Sequence, residues 1–267
     1  VPSSNRPSSN RPTGSHSPAD APTPGPPPPG EAPPPGEAPE LIWLRPERTG
    51  RGPRPAHSRT SIAAAAIAIA DAEGLDAVSM RRVAAALGAG TMSLYNYVPK
   101  KEHLLDLMLD AVVGEYDYTD LAPTGDCRAD LRRLAHEQLA ALRRHPWVPT
   151  LVVARPGLGP HALRYTDHFL AVTEPSGLDG SARLEALALL NGFVCQYAQY
   201  ERTAAAGTKW QADLVGYLSR AAASGEFPHL AAAFATAGPA AGDPDAVFDR
   251  SLDRVITAAL AAPVEQP

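Results

Sequence analysis

Between Arg81 and Lys101 the chain sets side chains suited to a nucleic-acid groove at close spacing. Thr91 and Ser93 carry small hydroxyls that can pair with base edges or phosphates, and Met92 can touch a thymine methyl. Tyr95 and Tyr97 each join a hydroxyl for phosphate oxygens to a ring that packs on the sugar backbone. Arg81 and Arg82 on one side, and Lys100 and Lys101 on the other, add positive charge for phosphates. Catalytic chemistry has no comparable cluster. The sequence holds no nucleophile elbow, Gly-rich phosphate loop, metal-spaced His/Cys set or placed carboxylate pair, so neither an enzyme, a cofactor nor a metal is expected.

Helices must hold these residues in place. Thr60 to Glu73 puts Ile62, Ala66, Ile69 and Ala70 on one stripe and stops at Gly74, a good left-handed terminator. A second helix opens at Ser79 as N-cap, with Met80, Val83, Ala84 and Leu87 apolar, and breaks at Gly88-Ala89-Gly90. The third, Thr91 to Tyr97, turns Leu94 inward with Val98 just beyond, leaving the hydroxyl, thioether and phenol groups outside. Two helices joined by such a turn present the second to the major groove. The rival reading is a structural three-helix bundle.

The run Arg81 to Val112 resembles the DNA-binding domain of the tetracycline-repressor (TetR) family. The resemblance rests on Leu87-Gly88, Leu94-Tyr95, Pro99-Lys100-Lys101, and Leu104-Leu105 opening a fourth helix. Lys100 departs from the pattern, standing where the family often places a Thr, Ser or Asn that caps that helix. The remainder, about 127 to 262, is similar in pattern to the family's C-terminal domain, marked by His145-Pro146-Trp147, Arg155-Pro156 with Gly159-Pro160, and Asn191-Gly192-Phe193.

Charge follows the same division: −2 over residues 1–44, +4 over 45–103 and −7 over 104–267, giving the total of −5. Residues 1–40 hold 14 of the 29 prolines, so a disordered, extended tail is expected. Arginines 45, 48, 51, 54 and 59 follow, interrupted by Gly50, Gly52, Pro53 and Pro55. Such an arm suits a minor groove, with Arg51 and Arg54 as its DNA contacts; a solvated basic linker is the alternative. Cys127 and Cys195 form no metal or disulfide pattern, and Cys195 reads as a small core residue. No apolar run reaches the length of a membrane span, nor is there a hydrophobic signal region, so a soluble cytoplasmic protein with no membrane partner is expected.

Beyond the fourth helix, Glu102 to Tyr116, further helices are expected at Arg128 to Arg144, His161 to Thr173, Ser181 to Ala206, Lys209 to Ser224, Pro228 to Thr236 and Asp243 to Ala262. The resemblance implies a homodimer through Ser181 to Ala206 and Asp243 to Ala262. Leu184, Leu187, Ala188 and Ala198, with Val247, Leu252, Val255, Ile256 and Leu260, are the candidate seam, unless they are buried within one chain. It also implies an inducer pocket, for which Trp147, Arg155, His161, Tyr165, His168, Asn191, Gln196, Tyr200 and Trp210 are candidates. Their mixture suits a sizeable, mainly neutral organic molecule. Leu151 stands where the founding member has a metal-contacting histidine, so no metal is implied.

The expected architecture is therefore all-α: a disordered tail (1–40), a basic arm (41–58), a three-helix helix-turn-helix DNA-binding domain (59–105) and a helical ligand-binding and dimerisation domain (106–263). The expected function is a homodimeric repressor released from a palindromic double-stranded DNA operator by a small-molecule inducer. The competing class is a protein-interaction module whose working part is the proline-rich tail.

Overall fold

The structure, a computed structural model, describes residues 41–47, 57–118, 121–155, 157–207, 209–236 and 243–261. The expected proline-rich tail, Arg51 and Arg54 lie outside them. Among the described residues there are eleven α-helices and no strand. No helix among them is long and apolar enough to cross a membrane.

The first helix, α1 (Arg59–Glu73), begins at a reciprocal box in which Ser58 and Ser61 satisfy each other's backbone N–H groups, and ends at Gly74 with φ 86°. Its inward face is Ile62, Ala63, Ala66, Ile67 and Ala70. Ile67, rather than the expected Ile69, completes the buried stripe. The second helix, α2 (Met80–Ala86), is capped by Ser79, whose hydroxyl accepts from the Arg82 N–H. Gly88, at φ 64°, then makes the left-handed turn that a side chain would strain. The third helix, α3 (Thr91–Tyr95), ends two residues earlier than expected. The fourth, α4 (Lys101–Val113), starts at Lys100 with no side-chain cap, as the departure at that position anticipates.

A short 3-10 turn, Ile42–Leu44, precedes these helices and belongs to the same core: Ile42 is fully buried. The Arg59 guanidinium ties it down, donating to the carbonyls of Ile42 (3.1 Å) and Arg45 (3.0 Å) and reaching Tyr97 O at 3.4 Å. Burial lowers the pKa of that guanidinium, against the pull of Glu47.

The rest of the body is α5 (Cys127–Arg144), α6 (Val148–Ala154), α7 (Pro160–Thr173), α8 (Gly180–Ala205), α9 (Lys209–Ala223), α10 (Pro228–Thr236) and α11 (Pro244–Ala259). The sequence reading placed a break where α6 lies. Pro149 sits in the first turn of that helix, where its missing N–H costs nothing, so a residue that reads as a breaker opens a helix instead. Asp126, Asp179 and Asp243 cap α5, α8 and α11 with their carboxylates.

The helix α4 packs on α1 on one side and on α6 and α7 on the other, while α8 packs on α11, α5 and α7. Of the candidate dimer seam, Leu252 and Ile256 are fully buried within the single chain and Ala198 nearly so, the alternative left open for them. Outward on α8 stand Leu184, Ala188, Leu189 and Gly192.

Candidate nucleic-acid interface and ligand cavity

Leu94 and Val98, both fully buried, anchor α3 from beneath. Burying a leucine of this kind contributes roughly 1.5–3 kcal/mol. With that face fixed, Met92 (78 % exposed), Ser93 and Tyr95 point outward, and Thr91 is half-buried. Tyr97 is partly packed against the core, so less of its ring is presented than the sequence reading supposed. Arg81, Lys100 and Lys101 are exposed around this face. Arg82 pairs with Glu73 at the end of α1, which offsets part of its charge. Asn96, exposed at the end of α3, was missed, because a lone asparagine at a helix end reads as a terminator.

Behind α4 lies a cavity of about 530 Å³. Leu109, Val112 and Val113 of α4 form one wall, with Gln138 and Leu142 of α5, Val148 and Val152 of α6, and Leu158 of the following loop. Ala162, Leu163, Tyr165 and Thr166 of α7 face Leu184, Leu187, Ala188, Asn191 and Cys195 of α8, and Tyr116 closes one end. Among the described residues, none of those lining it is charged. The Tyr165 hydroxyl donates to Asn191 Oδ1 at 2.6 Å, and the Tyr116 and Tyr165 rings meet edge to face at 5.5 Å. Burial raises the pKa of both phenols, which stay neutral. It also pushes the Cys195 thiol up to about 11; this residue faces the cavity rather than a closed core.

Of the pocket candidates, the structure brings together on this wall only Tyr165 and Asn191. The others stand elsewhere for identifiable reasons. Trp147, 5 % exposed, donates from Nε1 to Asp71 Oδ1 of α1 (2.7 Å). It shares that carboxylate with His145, whose Nδ1 lies 2.8 Å from it and whose Nε2 lies 3.0 Å from Glu115. Arg155 makes a two-pronged pair with Asp106 of α4 (2.8 and 3.0 Å). His161 pairs through Nδ1 with Asp110 Oδ2 (2.9 Å), while Asp110 Oδ1 accepts the backbone N–H groups of His161 and Ala162. These three aromatic or basic residues are ties between α1 or α4 and the C-terminal helices. A Cβ at Gly159 would collide with the Asp110 carboxylate and the Trp43 ring, so only glycine allows this approach.

His168 packs edge to face on Tyr118 at 5.1 Å, and burial lowers its pKa. Gln196 and Trp210 are on the outer surface. Tyr200, 63 % exposed, borders a separate recess of about 630 Å³ with Tyr197, Pro244 and Val247. The apolar lining of the main cavity escaped the sequence reading because valines and leucines at helical spacing look the same whether they face a core or a void.

A helix-turn-helix head whose fourth helix also forms the wall of an apolar chamber defines a one-component DNA-binding regulator. Residues 62–108 match the model of the bacterial regulatory proteins of the tetR family, and residues 120–260 that of the tetracyclin repressor-like C-terminal domain. The HTH-type transcriptional repressor DrrR1 of Streptomyces coeruleorubidus is 41 % identical over 201 residues, covering 72 % of this chain and 74 % of its own. An HTH-type transcriptional regulator of Saccharopolyspora erythraea is 33 % identical over 223 residues, 82 % of this chain and 90 % of its own. Among solved structures, ActR of Streptomyces coelicolor in complex with actinorhodin superposes with a TM-score of 0.66 at 29 % identity, covering 76 % of this chain and 97 % of that one. The chain belongs to the TetR family of transcriptional regulators and is not an enzyme.

Proposed function

We propose that the chain is a homodimeric repressor that leaves a palindromic operator when a neutral, largely apolar organic molecule fills the chamber behind α4. The observation that carries this reading is the double duty of α4, which packs on α1 while Leu109, Val112 and Val113 line the cavity. A molecule that fits the cavity in only one setting of α4 shifts the spacing of the two recognition helices by its differential affinity for the two settings. ActR, whose crystal structure is a complex with actinorhodin, supports an organic ligand for this chain.

In this reading Thr91, Met92, Ser93, Tyr95 and Tyr97 meet the major groove, with Asn96 beside them. Arg81, Lys100 and Lys101 meet phosphates, and Arg51 and Arg54 meet the adjacent minor groove. Tyr165 and Asn191 contact the ligand. Residues 59–105 form the reading head and 106–263 the ligand-binding and dimerisation body. The outward faces of α8 and α11 form the dimer seam, and the protein works in the cytoplasm, where its operator is.

A gel shift of the purified protein on DNA flanking its own gene, followed by titration with polycyclic aromatic compounds, tests the reading. A specific complex that a compound dissolves is expected. A specific complex that no cavity-sized compound affects would remove the ligand half, and loss of all sequence preference would remove the operator half.

A further inference from the structure

Gln138 lies in the C-terminal half of α5 on the cavity wall and is only 6 % exposed. Its Oε1 is buried and accepts no hydrogen bond among the described residues. Of the other polar groups along this wall, the Tyr165 and Thr166 hydroxyls and Asn191 Oδ1 are paired. Tyr165 donates to Asn191, and the Thr166 hydroxyl donates back to Ala162 O at 3.0 Å. An amide oxygen left without a partner among apolar side chains is destabilising. A methionine of similar length would fill the same space without that cost. The amide is therefore stabilised only when something enters the cavity and pairs with it.

We infer that Gln138 is the cavity's polar recognition point, selecting a neutral ligand that bears a hydroxyl group. This rests on the reading of the cavity as the ligand site. A hydroxyl both donates and accepts, so it answers the amide in either orientation about χ3. A carboxylate offers acceptors alone and meets no cation on this wall; an ammonium meets no anion there. Oε1 would accept from the ligand O–H.

The test is a fluorescence titration of the full chain with 2-hydroxyanthracene and with 2-methoxyanthracene, in which a methyl group replaces the hydroxyl proton and removes the donor. Wild type is expected to bind the phenol about tenfold more tightly, the worth of one hydrogen bond not otherwise made. Gln138→Met, or Gln138→Leu should the first be poorly folded, is expected to bind the two alike while the free protein melts no lower than wild type. Equal affinities in wild type, a preference that survives both substitutions, binding of neither probe, or a lower melting temperature in both variants would each overturn the inference. The last would mark the amide as structural. An operator gel shift on the same preparations separates the two ideas, since loss of operator binding with the phenol preference intact removes the repressor reading and leaves this one standing.

Discussion

Replacing Asp71 by alanine should cost far more than its partly exposed position on α1 suggests. One carboxylate oxygen serves both the Trp147 indole N–H and the His145 ring at 2.7 and 2.8 Å. Trp147 and His145 are themselves 5 % and 6 % exposed, so neither can turn to water when the carboxylate goes. Each stranded polar group costs about 1–3 kcal/mol. The Asp71 side chain is 33 % exposed and a water can enter the space it leaves, so the lower half of the sum applies, about 2–4 kcal/mol. Urea unfolding followed by tryptophan fluorescence, at one protein concentration because a dimer's midpoint depends on it, measures the loss. Glu73→Ala, two residues along the same helix and half-exposed in its surface pair with Arg82, is the control and should move the midpoint little. If Asp71→Ala moved the midpoint no further than Glu73→Ala, the indole and imidazole would not depend on this carboxylate, and the claim that it ties α1 to the C-terminal helices would fail.

Leu94→Ala should destabilise the protein by about 2–5 kcal/mol by opening a void under α3, whereas Met92→Ala should leave stability within about 0.5 kcal/mol and weaken operator binding. Thermal melts and gel shifts on both variants separate the roles, and the reverse pattern would sink the assignment of faces. Burial disfavours ionisation of Asp130, but the Thr124 N–H and O–H and Arg133 outweigh it, so this carboxyl titrates below its ordinary range. The stability it lends is present above about pH 4 and is lost as pH falls through its depressed value; Asp130→Asn should therefore flatten the acid limb of a urea-midpoint profile. A parallel profile for the two proteins would contradict this. With Cys127 replaced by serine, Cys195 at about 11 should be ionised to only about a thousandth at pH 8 and react with iodoacetamide about tenfold faster per pH unit until that value. Reaction at the rate of an ordinary exposed thiol would refute it.

The reading head was legible because its signals are local. Gly74, Ser79 and Gly88 mark ends and caps through their own backbone preferences, and Leu94 and Val98 mark the only face α3 can bury. The cavity was not, because its wall is set by which helices fail to touch, a property of packing rather than of any segment. Aromatic and charged residues drew attention as ligand groups, yet Trp147, Arg155 and His161 spend their polar atoms on Asp71, Asp106 and Asp110. Those acidic partners lie far away along the chain and give no sign in the neighbouring sequence. Gln138 was missed for the opposite reason: in a helix rich in Arg, Leu and Ala, a single glutamine reads as surface.

The 3-10 turn at Ile42–Leu44 governs how the chain can be shortened. Ile42 fills the core, Trp43 sits against the Gly159 approach, and Glu47 Oε1 accepts the Arg59 N–H at 3.1 Å. A truncation ending at residue 40 leaves this plug in place, but one ending at 55 removes it together with Arg51 and Arg54. Lost operator binding after the longer cut would then mix a loosened reading head with missing minor-groove contacts. Arg51→Ala and Arg54→Ala in the uncut chain keep the two apart. A purification tag cleaved near residue 40 spares the fold, whereas a start placed at the first helix of the family's conserved head leaves an open hole beneath it.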